Sequence, residues 1–309
     1  GETQSSFMVV PVGPDQEIVV HTTAGGHFIV EQLGYFTEER GDGFHAVTPY
    51  RAYDTRALAA PLAAKTNRYI KLTGTASTDP QIAVPPKNVR AVALSITADA
   101  PTAAGWATAV STVTSAAPTM AELWFAKSRT TTNTVIVPVD GAGRIRLYST
   151  VATHFQVDVL GYFSDFVGGS FHYHQPVRVT DTRRGGAAVP AAGTTTDVNV
   201  SSQVPADAAS VFGTLSTIGA TTGGAVRMAA NSSALGTVSS FRSVTISALG
   251  QAASVGTFSA LDTGHATIGS SAAAHRMFDV LGWFDPVKFG AVGSVAPIPV
   301  DPAAPSAYR

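Results

Sequence analysis

FMVVPVGPDQEIVVHTTAGGHFIVEQLGYFTEERGDGFHAVTPYRAYDTR, residues 7–56, aligns without a gap on TVIVPVDGAGRIRLYSTVATHFQVDVLGYFSDFVGGSFHYHQPVRVTDTR, residues 134–183. Of the 50 aligned positions 20 are identical, where composition alone gives about one in fifteen. A constant offset of 127 residues over this length is a duplication. A third, more divergent copy closes at HRMFDVLGWFDP, where Gly282, Trp283 and Phe284 fall on Gly161, Tyr162 and Phe163 at an offset of 121. The approach to it, SALDTGHATIG, is the counterpart of the hairpin sequence VPVDGAGRIRLY in the second copy.

Within the repeat the pattern is that of strands. In HFQVDV the residues Phe155, Val157 and Val159 project to one side and His154, Gln156 and Asp158 to the other, as in a half-buried strand. RYIKLTG, WATAVSTVT, AELWFA and TVIVPV read the same way between Pro, Gly and Asp clusters, and no window offers an amphipathic helix of ten or more residues. Short strands at turn-separated intervals predict an all-β fold of tandem β-sandwich-like modules, about two full repeats preceded by half of one. The expected divisions are 1–41 for the closing half of a first repeat, 42–168 for the second, 169–285 for the third, and 286–309 for a Pro/Ala-rich tail. The junctions TEERGDG (37–43) and SDFVGGS (164–170) have equal length, which predicts a fixed orientation between neighbouring modules.

Composition agrees. The 309 residues are 45% hydrophobic and only 13% charged, with a formal net charge of −1. That balance gives no electrostatic case for nucleic acid or an anionic membrane surface. The chain has no cysteine, which excludes disulfides and thiolate metal sites, and no run of eighteen apolar residues that would span a membrane as a helix. Arg outnumbers Lys by 15 to 5, in keeping with a GC-rich genome.

RAYDTR (51–56), RVTDTR (178–183), AVALSITADAPTAAG (91–105), VIVPVDGAGRIRLYS and VDVLGYF together resemble a repeat found in exported proteins of high-GC Gram-positive bacteria. In that family the repeats stand in tandem or beside peptidoglycan amidase, peptidase or other hydrolase domains. The resemblance covers the second repeat fully and the first in its closing half; the third keeps the DTR opening and the aromatic close. It implies an extracellular or surface-exposed, non-catalytic β module and brings no catalytic residues with it.

Several side chains invite chemistry. His27 with Glu31, His154 with Asp158 and His275 with Asp279 each share a strand face, but four residues of strand span about 13 Å, beyond hydrogen-bond reach. Each is expected to meet a neighbour across the sheet, with Asp158 accepting from an arginine of a DTR motif. Arg51, Asp54, Arg56, Asp158, Arg178, Asp181, Arg183 and Asp279 are accordingly read as a structural motif, a pin rather than a ligand site. His172 and His174 have H-x-H spacing without a third ligand, so no metal and no cofactor is assigned. LDTGH (261–265) lacks the second loop an aspartic protease needs and reads as a hairpin turn. No nucleophile elbow, zincin, P-loop or dinucleotide signature occurs, and the chain is not expected to be an enzyme. Tyr35, Tyr162 and Trp283 recur at one repeat position and are assigned to packing, which leaves Trp106 and Trp124 as candidate ligand-binding residues, Trp106 with an exposed ring.

These readings favour a structural or interaction protein, with a carbohydrate or cell-wall binding module and a virion component as the alternatives. Because the opening half of the first repeat is not in the sequence, self-association or another chain is expected to complete it, with the 286–309 tail as a candidate donor. Cell-wall polysaccharide is the second expected partner, and the expected location is extracellular or on the cell surface.

Overall fold

The computed structural model of the protein describes residues 3–37, 41–76, 83–85, 87–111, 118–237, 241–247 and 249–289. The second repeat supplies β1 (Gly43–Asp54), β2 (Thr66–Lys71), β3 (Val89–Asp99), β4 (Gly105–Ser111), β5 (Leu123–Phe125), β6 (Thr131–Pro138), β7 (Arg144–Ser149) and β8 (His154–Ser164). After a short β9 (Val167–Gly168), the third repeat supplies β10 (Phe171–Asp181), β11 (Thr195–Asn199), β12 (Ser210–Ile218), β13 (Gly224–Ala229), β14 (Val244–Ile246), β15 (Ala253–Ala260), β16 (His265–Ser270) and β17 (His275–Phe284). A last strand, β18 (Lys288–Phe289), pairs with β9. The described helical residues amount to the single turns Ser232–Thr237 and Arg184–Gly186.

Each full repeat is an antiparallel sandwich of two four-stranded sheets, and the two follow one topology. The orders are β1-β8-β3-β6 with β2-β7-β4-β5, and β10-β17-β12-β15 with β11-β16-β13-β14. The alternation read in HFQVDV puts Phe155, Val157 and Val159 into the core between the sheets of the second repeat, together with Val92, Leu94, Ile96, Ile145 and Leu147. Phe278 and Val280 do the same in the third, with Val198, Val226 and Ile268. Each interior is apolar, built of aliphatic side chains with a few aromatic rings, and its burial stabilises the sandwich.

Register breaks recur with the repeat. The β1/β8 pairing shifts between Ala46 and Tyr50 and between Arg51 and Tyr53; β10/β17 shifts at Tyr173/Val177 and Arg178/Thr180, the equivalent places. A further irregularity skips the leucine just before the glycine of the G-[YW]-F close, Leu160 or Leu281, and reverses the facing of the residues that follow. Leu160 and Phe163 therefore leave the interior of their sandwich, and Leu281 and Phe284 leave theirs, while Tyr162 and Trp283 stay inside. Only glycine fits at the bend. A Cβ on Gly161 would lie 2.5 Å from the Phe44 ring and 2.6 Å from the His45 carbonyl oxygen, and one on Gly282 would meet Phe171 and His172 at the same two distances.

The residues turned outward build a third core, between the sandwiches. Phe44, Ala93, Leu160 and Phe163 of the second repeat pack with Phe212, Phe258, Leu281 and Phe284 of the third. Residues 3–37 contain no strand, although their sequence matches β6 to β8. Met8, Val10, Val19, Phe28, Ile29 and Val30 are exposed there, and Tyr35 is 80% exposed where its counterpart Tyr162 is fully buried. The side chains have the right alternation but no sheet to fold against. The proposed donor segment 286–309 falls mostly outside the described residues.

Candidate functional site

The DTR motif fastens the strand that opens a repeat to the strand that closes it. The Thr55 hydroxyl accepts from the Phe155 amide at 2.8 Å and lies 3.0 Å from His154 Nδ1; Thr182 repeats this with the Arg276 amide at 2.9 Å and His275 Nδ1 at 3.2 Å. His154 and His275 thus meet the DTR threonine, not their strand-mate acids. Asp54 accepts from the Arg56 amide at 2.9 Å and from its Nε and Nη2 at 3.1 and 2.8 Å; Arg183 binds Asp181 identically at 3.0, 2.9 and 2.7 Å. Burial works to raise the Asp54 carboxyl, but the Arg56 hydrogen bonds overcome it and hold the group at about 2. The Arg183 hydrogen bonds drive Asp181 lower still. Arg56 also reaches Asp99 at 2.9 Å. All these contacts are internal to a repeat.

The acids four residues beyond the histidines do something different. Asp158, with no exposed surface, is gripped by the Arg51 fork through Nε and, at 3.2 Å, through Nη2, and Arg51 also holds Asp54 at 2.9 Å. The remaining valence of the Asp158 carboxylate accepts the backbone N–H of Arg242 at 3.0 Å, which belongs to the third repeat. Ser95 donates to the Arg242 carbonyl, and Thr132 meets Thr245 at 3.2 Å, so a strip just ahead of and within β14 is fixed across the face of the second repeat. Burial pushes the Asp158 carboxyl up to about 6 against the pull of the Arg51 guanidinium.

The same joint occurs one repeat earlier. Glu31, at the Asp158 position of the first repeat, accepts the Ala121 amide at 3.0 and 3.2 Å, and Ser5, at the Thr132 position, accepts the Trp124 amide at 3.0 Å. Ala121 and Trp124 stand to β5 as Arg242 and Thr245 stand to β14. The third repeat therefore places the segment entering its fifth strand on the β8 sheet of the second, and the second places the same segment against Ser5 and Glu31 of the first. Sequence reasoning found the acids but not their partners, because backbone amides of Ala121 and Arg242 leave no mark in residue type.

At the third position the joint is half made. Arg178 binds Asp279 at 2.7 and 2.9 Å, and Ser216 meets Ser254 at 2.8 Å as Thr97 meets Thr132 at 2.8 Å. Register confirms the equivalence, since Ser95 and Thr97 of β3 bracket Asp158 and Thr132 as Thr214 and Ser216 of β12 bracket Asp279 and Ser254. Among the described residues no amide from another repeat reaches Asp279, which stays 21% exposed at its side chain.

Aromatic rings draw all three repeats together. Phe36, Phe163 and Phe284 hold one repeat position; Phe36 lies 6.1 Å from Phe163 and 6.2 Å from Phe284, and the opening residues Phe44 and Phe171 lie 4.5 Å from Phe284 and Phe36 respectively. Phe7 packs on Phe212 at 5.6 Å and on Phe258 at 6.1 Å, while its carbonyl accepts from Gly256 at 3.1 Å and its amide donates to Asn133 at 3.1 Å. The first repeat thus touches both others.

Trp106 is half-buried rather than exposed, faces Trp124 in the β4/β5 register and lies 5.6 Å from Tyr148. His172 stacks on Trp283 at 5.2 Å and meets Asp285 at 2.9 Å, and His174 meets the edge of the same indole. No cluster of three or more His, Cys, Asp or Glu that could hold a metal occurs among the described residues. Asp262–His265 is a tight turn with Thr263 and Gly264 at φ 49° and 78°. Glu122, almost fully buried beside the first joint, accepts from the Ala109 amide at 2.7 Å and from Thr108 at 3.0 Å, and burial pushes its carboxyl up to about 7. No helix of the described residues is long and apolar enough to cross a membrane. Compared with protein-family models, curated protein sequences and solved structures, the chain matches none.

Proposed function

We propose that the chain is a non-catalytic structural and interaction protein, an array of β-sandwich repeats that acts as a spacer, fibre or adhesion unit outside the cell or on its surface. The observation that carries this reading is the use made of the recurring charged and aromatic residues. Arg51, Asp158, Glu31, Phe36, Phe163 and Phe284 join one repeat to the next through hydrogen bonds and an apolar seam. The extracellular setting rests on the resemblance of the DTR and G-Y-F motifs to exported repeats of high-GC Gram-positive bacteria. A chain of this kind is expected to release nothing from peptidoglycan and to hold a single compact particle in small-angle scattering. Turnover of the wall polymer overturns the non-catalytic reading, and scattering from independently moving sandwiches overturns the structural one.

A specific observation supports the second reading, a carbohydrate or cell-wall binding module beside a hydrolase. Trp106, Trp124 and Tyr148 lie close on one outer sheet face, and on the same sheet Tyr69 is 56% exposed with the Arg144 guanidinium 5.8 Å above its ring. Pull-down on peptidoglycan and purified polysaccharides separates the two readings, since saturable binding lost on Trp106→Ala establishes the carbohydrate module.

A further inference from the structure

The two occupied joints have a direction. The third repeat lays its β14 approach on the second, and the second lays its β5 approach on the first. Such head-to-tail contacts use two different surfaces, and a series of them either runs on as a filament or closes as a ring. Here the first repeat already touches the third, through Phe36 on Phe171 and Phe284 and through Phe7 on Phe212, Phe258 and Gly256. In a series of three that runs on, the first and third members would stand apart. Their contact is the geometry of closure, and it leaves one socket to fill, the Arg178–Asp279 pair with Thr214, Ser216 and Ser254.

Every polar part of that socket matches its occupied counterpart. Ser95, Thr97 and Asp158 are fully buried under the third repeat, whereas Thr214, Ser216 and Asp279, at the same register positions, are only half-buried. Thr3, Gln4 and Ser5 share a groove with Ala253, Ser254 and Val255, so the first repeat is already seated at the socket's rim. Residues 5, 7 and 9 turn inward and 4, 6, 8 and 10 outward, the alternation of the β6-type strand their sequence encodes, and the Gly256 N–H of β15 bonds the Phe7 carbonyl although these residues form no strand themselves.

We propose that the Asp279 socket is the third joint of a closed three-repeat ring, and that its occupant is the opening half of a first repeat, a polypeptide with strands of the β1 to β5 kind. The segment entering its fifth strand donates a backbone N–H to Asp279, as Arg242 does to Asp158 and Ala121 to Glu31, and its other strands pair with residues 7–36. Recognition is by strand addition, with Asp279 fixing the register. A 24-residue tail such as 286–309 is too short for this role, since the five strands β1 to β5 occupy residues 43–125 in the second repeat. The proposal rests on the reading of the joints as the working parts of the protein.

The experiment grafts residues 43–130 directly in front of Gln4, which reproduces the spacing the second repeat has between its own halves. Hydrogen exchange is read at residues 7–36, with and without Asp279→Ala. Amide exchange across 7–36 is expected to slow at least about tenfold in the graft, and Asp279→Ala is expected to reverse most of that protection while leaving the ungrafted chain unchanged. The same 43–130 polypeptide added in trans to the full chain gives a second format that does not depend on the graft folding, read as co-elution that Asp279→Ala weakens about tenfold. Unprotected 7–36 in the graft together with no binding in trans overturns the ring, and so does protection or binding indifferent to Asp279. Asp158→Ala in the same chains reports separately on the joints: if it leaves the Arg242 amide as protected as before, the reading of the joints fails whatever happens at Asp279.

Discussion

Asp158 and Asp279 are one residue of the repeat seen in two circumstances. Both sit on the strand that closes a sandwich, and both are held by the arginine that begins an R-x-x-D-T-R motif. Asp158 is sealed under a neighbouring repeat and takes a backbone N–H from it, while among the described residues Asp279 has the arginine alone. The same chemistry is therefore a buried three-part joint in one place and a surface ion pair in the other. What separates them is the neighbour, not the sequence around the acid.

The largest expected effect breaks the buried copy. Asp158→Ala leaves the Arg51 fork and the Arg242 amide without their acceptor in a dry site, a loss of about 3–5 kcal/mol in denaturant unfolding. It should also raise exchange at Arg242 before it does so in the core of either sandwich. Pairing it with Arg51→Met removes the stranded charge and should recover part of the loss.

The next effect reads burial through pH. Asp158 is raised to about 6 and Glu122 to about 7 from ordinary carboxylate values of 3.8 and 4.5. Both bind protons more tightly folded than unfolded, so their contribution to stability is complete below about pH 4 and is lost as pH climbs through their folded values. Asp54, lowered to about 2, works oppositely: its contribution is present above pH 4 and lost in stronger acid. Stability should peak on the acid side of neutrality. Glu122→Gln keeps an acceptor for Ala109 and Thr108 without the buried charge, so it should flatten the fall between pH 5 and 7 and stabilise the chain at pH 8, on the order of 3 kcal/mol.

A smaller effect compares the three glycines of the aromatic close. Gly161→Ala and Gly282→Ala each force a methyl against a phenylalanine ring and a backbone carbonyl at 2.5 and 2.6 Å, which should cost about 1–3 kcal/mol each. Gly34→Ala, with nothing within 4 Å, should be near neutral in this chain. If Gly34→Ala proves as damaging as the other two, the first repeat is folded more completely than residues 3–37 indicate.

The sandwiches were legible because alternation such as Phe155, Val157 and Val159 against His154, Gln156 and Asp158 fixes which face turns to the sandwich core, but the strand is not half-buried as expected, since Gln156 and Asp158 on its other face are buried as well. Recurrence assigned Tyr35, Tyr162 and Trp283 to packing, which holds for Tyr162 and Trp283 but not for Tyr35, which is exposed, while the seam rings beside them, Phe36, Phe163 and Phe284, were not singled out. The joints were not legible. Glu31 and Asp158 signal an acceptor, but their donors are main-chain amides at Ala121 and Arg242, and every residue except proline has one. Trp106 was misread as exposed because its small, polar sequence neighbours say nothing of Tyr148, which arrives from a strand forty residues away.

The smallest expected effect completes the comparison. Asp279→Ala removes a pair whose members are 39% and 21% exposed at their side chains, so water replaces what the arginine loses and the change should stay within about 1 kcal/mol. High salt should shrink it further, because an exposed pair is screened within a Debye length, whereas the Asp158→Ala loss should hardly respond. If the two substitutions destabilise the chain equally at low and high salt, the difference between the joints does not come from burial. A gap of several kcal/mol that persists in salt gives the free energy added when a neighbouring repeat closes over this acid.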